Sequence, residues 1–303
     1  MGSFAVTTSS STGRGSGEGA ERSAGVMRVL VTGSRGQLGR ALERVATGRH
    51  ELVGVDLPEV DITRPREVRD AVSAFRPQVL INAAAFTAVD AAESREAEAL
   101  AVNGAAVALL AEAADTVGAL LVQVSTDYVF DGASTRPYRE DDPLAPRSAY
   151  GRTKLVGERS AATARRHLVA RTAWLFGDGP NFVAAIRAQI AAGRRELRVV
   201  ADQSGSPTYA EDLAVALLRL VEGGAEGTVH VTNDGSTTWH GFAREIVHQL
   251  GLAVEVVATT TDETARPAPR PRYSVLDTGR LALLLGAPLP SWQDALARYL
   301  AGR

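Results

Sequence analysis

Tyr150 and Lys154 stand four residues apart in the run Tyr150-Gly-Arg-Thr-Lys154. In a helix this spacing puts a phenol and an ammonium on one face, a turn apart. A phenol ionises near pH 10, and a neighbouring cation stabilises its anion, so the pair is suited to protonating an oxyanion. Upstream, Ser125-Thr-Asp-Tyr-Val-Phe-Asp-Gly132 brings the Thr126 hydroxyl to the end of an apolar run, where it can hydrogen-bond a reacting oxygen. A third signal is Gly33-Ser-Arg-Gly36-Gln-Leu-Gly39. Between a strand and a helix, such glycines allow a tight turn, close backbone approach to a pyrophosphate and close helix packing. About twenty residues on, the second strand ends in Asp56, from which an acid can hold adenosine ribose hydroxyls. Asp56 favours NAD, whereas Arg35 in the turn suits the 2′-phosphate of NADP. The two residues leave the choice between NADH and NADPH open.

These residues need a scaffold that delivers them to one cleft. From Met27 onward short apolar runs alternate with helical patterns, the mark of βαβ units. Strands are expected at Arg28–Thr32, Glu51–Asp56, Gln78–Asn82, Ala119–Ser125 and His167–Thr172. Helices are expected near Pro65–Phe75, Glu93–Thr116 and Ser148–Thr163. The fold class is therefore α/β, a doubly wound parallel sheet of Rossmann type, with ligands outside the carboxyl ends of the strands. Beyond Ala173 the pattern loosens, with helices near Asn181–Ala192, Glu211–Val221 and Trp239–Leu250 and a proline-rich stretch at Arg266–Pro271. The expected organisation is a dinucleotide-binding domain at 27–175 and a smaller, partly interleaved substrate domain over 176–303. Residues 1–26, rich in Ser and Gly, read as a disordered leader.

Bulk composition narrows the function classes. The 303 residues include no cysteine, which excludes disulfides, thiolate nucleophiles and Cys-based zinc sites. A formal charge of −2 argues against non-specific attraction to nucleic acid or to an anionic membrane. No run of roughly 18 uninterrupted apolar residues stands out as a membrane span, and no signal-peptide core is visible. The chain is expected to be cytoplasmic. His50, His167, His230, His240 and His248 lack ligand spacing, so no metal site is expected.

The combination of Gly33-x-x-Gly36-x-x-Gly39, Asn82-Ala-Ala-Ala85, Thr126 and Tyr150-x-x-x-Lys154 resembles the extended short-chain dehydrogenases. Within them the wording is similar to the dTDP-4-dehydrorhamnose reductase family, in Asn82-Ala-Ala-Ala-Phe-Thr87-Ala-Val89-Asp90, Ser125–Gly132, Arg171-Thr-Ala-Trp174, Asp202-Gln-Ser-Gly-Ser-Pro-Thr208 and Arg270-Pro-Arg-Tyr-Ser274. The resemblance runs from Met27 to Arg303. It implies a cofactor site lined by Gly36, Gln37, Leu38, Asp56, Asp61, Ile62, Ala83, Ala84, Ala85, Val124, Tyr150 and Lys154. It places Thr87, Val89, Thr126, Asp127, Tyr150 and Trp174 beside a sugar nucleotide, with Asn181 and Arg270 as phosphate contacts. Some members hold magnesium at a dimer interface through glutamates, one of them two residues after the third glycine; Ala41 stands there here. Both monomer and homodimer stay open.

The implied reaction is NAD(P)H-dependent reduction of the C4 ketone of a dTDP-4-keto-6-deoxyhexose, with Tyr150 as acid, Lys154 lowering the phenol pKa, and Thr126 fixing the oxygen. Dehydratases of this type carry Asp-Glu after the threonine, whereas Asp127-Tyr128 follows Thr126. The GDP-fucose synthase type needs a cysteine. A sugar-nucleotide epimerase and a non-catalytic, regulatory nucleotide-binding subunit are the remaining alternatives.

Overall fold

The computed structural model describes residues 25–302, so the reading of a disordered leader falls, up to residue 24, outside the described residues. The strands are β1 Arg28–Thr32, β2 Glu51–Val55, β3 Val79–Asn82, β4 Leu120–Thr126, β5 His167–Thr172, β6 Leu175–Phe176, β7 Glu196–Val200, β8 Ser204–Gly205, β9 Thr208–Tyr209, β10 Gly227–His230, β11 Thr237–Thr238 and β12 Glu255–Thr259. The α-helices are α1 Gln37–Ala46, α2 Pro65–Phe75, α3 Val89–Ala92, α4 Glu96–Leu100, α5 Ala106–Val117, α6 Ala149–Ala161, α7 Phe182–Ala191, α8 Ala210–Glu222, α9 Trp239–Gln249, α10 Gly279–Leu285 and α11 Trp292–Ala301.

Six strands form one parallel sheet in the order β10-β5-β4-β3-β1-β2. Its centre reads as unbroken apolar runs, Val29–Val31 and Val79–Ile81, because helices cover both faces. On one face Leu38 and Leu42 of α1 meet Leu213 and Leu217 of α8. On the other, Val68 and Val72 of α2 pack with Val107 and Leu110 of α5. A third core, around Phe176, Phe242, Trp292 and Leu296, lies under the second half of the chain. That half also returns β10 to the main sheet, beside β5.

Register aligns the carboxyl ends that carry chemistry. Thr32 pairs with Asn82, Asn82 with Gln123, and Thr126 with Thr172. A buried polar ladder joins the first three, with the Thr32 hydroxyl donating to Asn82 Oδ1 at 2.6 Å and Asn82 Nδ2 to Gln123 Oε1 at 2.7 Å. Each group has a partner, so the sheet edge is held without an orphaned amide.

Three features depart from the sequence expectations. The single helix expected at Glu93–Thr116 is α4, a π turn over Ala101–Ala105, then α5. The wider turn lets Asn103 accept from Phe86 N at 2.8 Å and donate to Thr153 Oγ1 at 3.2 Å, tying the loop after β3 to α6. Secondly, the continuous helical stretch Glu96–Val117 has 22 residues and contains an 18-residue window of mean hydropathy 1.4, long and apolar enough on those grounds to cross a membrane, yet half of that window is buried inside the fold. Helices α3, α10 and α11 and the short strands β6 to β12 lie outside the sequence expectation.

Candidate active site

The turn after β1 is shaped for close approach. Gly33 has φ +70°, and a Cβ there would lie 2.5 Å from Ala84 N. A Cβ at Gly39 would lie 2.5 Å from the Gly33 carbonyl oxygen, so the third glycine seats α1 against the turn. Gly36 is the N-cap of the ten-residue α1 and supplies no side-chain cap, leaving the first amides of the helix directed outward.

Beyond this turn lies a cleft of about 780 Å³ over the carboxyl edge of the sheet, within the range of small-molecule sites. Its walls include Gly33, Arg35, Gly36, Gln37, Leu38, Asp56, Asp61, Ile62, Ala83, Ala84, Ala85 and Val124. Thr87, Val89, Thr126, Asp127, Tyr150, Lys154 and Trp174 line the same space. Residues from the loops after β1, β2, β3 and β5, from the end of β4 and the turn after it, and from helices α1, α3 and α6 therefore converge where the strand order reverses between β1 and β3.

At the far end of β2 the two cofactor signals are both engaged. Asp56 accepts from Arg35 N at 2.9 Å and from Leu57 N at 2.8 Å. The Arg35 guanidinium pairs with Glu59 at 2.6 Å and donates to the Leu57 carbonyl. Asp61 accepts from Thr63 Oγ1 and N, and these bonds hold its carboxyl below the usual range.

Tyr150 sits in the first turn of α6, where Ser148 caps the helix by accepting from Gly151 N at 3.1 Å. Burial pushes its phenol up to about 12, the Asp127 charge adds to this, and a hydrogen bond with Thr126 opposes it. The Thr126 hydroxyl in turn donates to Asp127 Oδ1 at 2.9 Å. Asp127 is itself buried and raised to about 6 by desolvation, which hydrogen bonding from the Ser274 and Thr126 hydroxyls opposes. Lys154 is buried one turn further along, lowered to about 8 by desolvation against the opposing charge of Glu158. Its Nζ donates to the Val124 carbonyl at 2.5 Å.

Lys154 shares the helix face with Tyr150, its ammonium turned to the β4 carbonyl, while burial first and then the Asp127 charge raise the phenol. The phenol is consequently held in its protonated, acid form.

Trp174 follows β5 with φ +46°, in the left-handed region that bulky residues avoid. Its ring stacks on Trp239 with centroids 3.5 Å apart and planes 6° apart. Tyr128 and Trp239 line both this cleft and a second cavity of about 740 Å³. Arg270 faces that second cavity: its Nη2 pairs with Asp90 at 2.9 Å, while Nη1 is buried without a partner. A buried, unmatched guanidinium nitrogen suits an anionic ligand. Asn181, expected as a phosphate contact, has its side chain engaged within the protein. It caps α7 by accepting from Ala184 N, and its amide donates to Gly177 O, Gly179 O and the Tyr299 hydroxyl.

Sequence reasoning passed over Trp239 and the second cavity, because their partners lie far apart in the chain and no local spacing joins them. A compositional signal was present for Lys154: it is the only lysine in the chain, among 33 Lys and Arg residues.

A parallel sheet ordered in this way, a glycine turn under an uncapped helix, and a Thr126–Tyr150–Lys154 wall define a dinucleotide-dependent enzyme of the extended short-chain dehydrogenase type. The sequence profile described as RmlD substrate binding domain matches residues 27–302. The chain belongs to that family, the dTDP-4-dehydrorhamnose reductase family. It is 46% identical over 279 residues to dTDP-4-dehydrorhamnose reductase of Streptomyces griseus, covering 89% of this chain and 91% of the relative. It is 44% identical over 276 residues to a probable dTDP-4,6-dihydroxy-2-methyloxan-3-one 4-ketoreductase of Streptomyces antibioticus, covering 89% and 93%. Among solved structures, dTDP-4-dehydrorhamnose reductase of Bacillus anthracis in complex with NADP superposes with a TM-score of 0.89 at 36% identity, covering 92% of this chain and all of the other.

Proposed function

We propose that this chain reduces the C4 ketone of a dTDP-4-keto-6-deoxyhexose with NADPH or NADH, in deoxysugar biosynthesis. The observation that carries the reading is the convergence of Tyr150, Thr126 and Lys154 on one wall of a cleft whose opposite end is the Gly33–Gly39 turn. The glycine cradle, the free α1 amides and the cleft volume fit a dinucleotide.

In this reading Gly33, Gly36, Gln37 and Leu38 hold the pyrophosphate, and Asp56 and Arg35 meet the adenosine ribose. Asp61, Ile62, Ala83, Ala84, Ala85 and Val124 enclose the rest of the cofactor. When bound, the reduced nicotinamide supplies hydride to the carbonyl carbon. Tyr150, protonated at neutral pH, gives its proton to the oxygen that becomes the alcohol. Thr126 orients that oxygen, and the Lys154 ammonium, already aimed across β4, is placed to hold the nicotinamide ribose. Thr87, Val89, Asp127 and Trp174 face the sugar, while the second cavity, with Arg270, takes the nucleotide diphosphate. Residues 27–175 would thus serve the cofactor and 176–303 mainly the sugar nucleotide. The enzyme acts in the cytoplasm on a soluble small molecule, as a monomer or homodimer.

The name of the Streptomyces antibioticus relative supports a 4-ketohexose substrate class broader than one sugar. The test is oxidation of NADPH and of NADH in the presence of a panel of dTDP-4-keto-6-deoxyhexoses, with product configuration read by NMR. Turnover of at least one such sugar is expected; oxidation with none of them overturns the reading and favours a binding subunit.

A further inference from the structure

On α6 the spacing that aligns Tyr150 with Lys154 continues one turn further, to Glu158. Glu158 is buried, and both of its carboxylate oxygens are held. Oε1 accepts from Ser125 Oγ at 2.5 Å and from Arg171 Nε at 2.9 Å, and Oε2 accepts from Arg171 Nη2 at 2.8 Å. Arg171 comes from β5, is itself buried, lies over the Phe130 ring, and donates to the Glu140 carbonyl. A carboxylate is not buried at the back of a reaction cleft without compensation, and the fork of Arg171 provides it.

The other ionisable groups around this helix are otherwise engaged. From β4 and the turn after it, Asp127 faces Tyr150 and Thr126. Tyr128 meets the Tyr150 ring edge-on. From β10, His230 is held far below its usual range, by burial first and then by Arg171, so it is neutral. Its backbone amide donates to Glu140 and its Nδ1 meets the Asp277 carbonyl. From α3's C-cap, Glu93 accepts from Ala149 N; from α4, Glu96 pairs with Arg152 at the surface. Glu158 is the charge that opposes the desolvation of Lys154.

We propose that Glu158 is a positioning residue for the reaction: clamped by Arg171 and Ser125, it is the counter-charge that keeps the buried Lys154 ammonium protonated and directed at the Val124 carbonyl, where a ribose can share it. This rests on the function proposed above.

Because Lys154 is the only lysine, protein made with lysine carrying 13C at Cε gives one side-chain resonance, and its titration reads this ammonium directly. Glu158→Gln is expected to lower the titration midpoint of Lys154 by about one pH unit or more, with the alkaline limb of kcat/KM following it. Glu158→Gln leaves Arg171 buried without its anion and free to repel Lys154, so the double variant Glu158→Gln/Arg171→Met, which removes both charges and keeps apolar volume, must still show a fall, smaller than that of the single variant. A Lys154 midpoint unchanged in either folded variant overturns the proposal. If the midpoint falls as stated but no keto sugar nucleotide is reduced by the parent protein, the function reading fails and the charge pairing stands.

Discussion

Replacing Asp127 by Asn probes the electrostatic cost of the site. The carboxyl titrates at about 6 in the folded chain, against 3.8 when solvated, chiefly because burial penalises its charge. The native state therefore binds this proton more tightly than the unfolded chain. Stability supplied by the group is complete below pH 3.8, declines as pH rises towards 6, and is lost above it. At about 1.36 kcal/mol per pH unit, the ionised Asp127 costs about 3 kcal/mol at neutral pH. Asn keeps an acceptor for the Thr126 hydroxyl and cannot ionise. Its amide nitrogen would replace a carboxylate oxygen in a buried site, which adds a penalty that does not vary with pH. The pH-dependent part is the test. Urea unfolding of parent and Asp127→Asn protein at about pH 4.5 and about pH 8 is expected to show the variant gaining about 2 kcal/mol relative to the parent over that interval. Turnover should fall in the same variant, because the proposed sugar contact is altered. A stability difference that stays flat between the two pH values would refute the reasoning, whatever its sign.

Other substitutions test other parts of the site. Tyr150→Phe should keep cofactor binding, measured by fluorescence titration, and lose turnover by about 10² or more, as expected when a general acid is removed. Arg270→Gln removes the guanidinium facing the second cavity; KM for the sugar nucleotide should rise by about tenfold or more, with KM for the cofactor unchanged. Gly205→Ala places a Cβ 2.4 Å from the Trp174 ring, and should cost about 1–3 kcal/mol by overpacking and disturb the tryptophan fluorescence of the Trp174–Trp239 stack. A thermal melt within about 1 °C of the parent would contradict that contact.

Much of the cofactor half is legible in the sequence. Strand β1 and helix α2 fall where the periodicity places them, because apolar runs under helices and a proline at the first helical position are local signals. The expected helix over Glu93–Thr116 failed at Ala101–Ala105 for a reason no local pattern carries: the π turn is fixed by Asn103 gripping Phe86 and Thr153, partners on other elements. The Asn181 side chain, which an amide's donor capacity suggested for phosphate, is instead taken up by capping α7 and by its bonds to nearby carbonyls and Tyr299.

By itself the sequence determined the reaction class. The chemistry rests on residue types at short spacings, a glycine turn and a phenol one helical turn from an ammonium, and helix and strand geometry convert those spacings into proximity. Only the tertiary structure decided the electrostatics. Burial, with the charge of Asp127, raises the phenol; Arg171 from a neighbouring strand clamps the buried Glu158; and Trp239 meets Trp174 across the boundary of two cavities. Burial and long-range partners set those features, and neither can be counted along a chain.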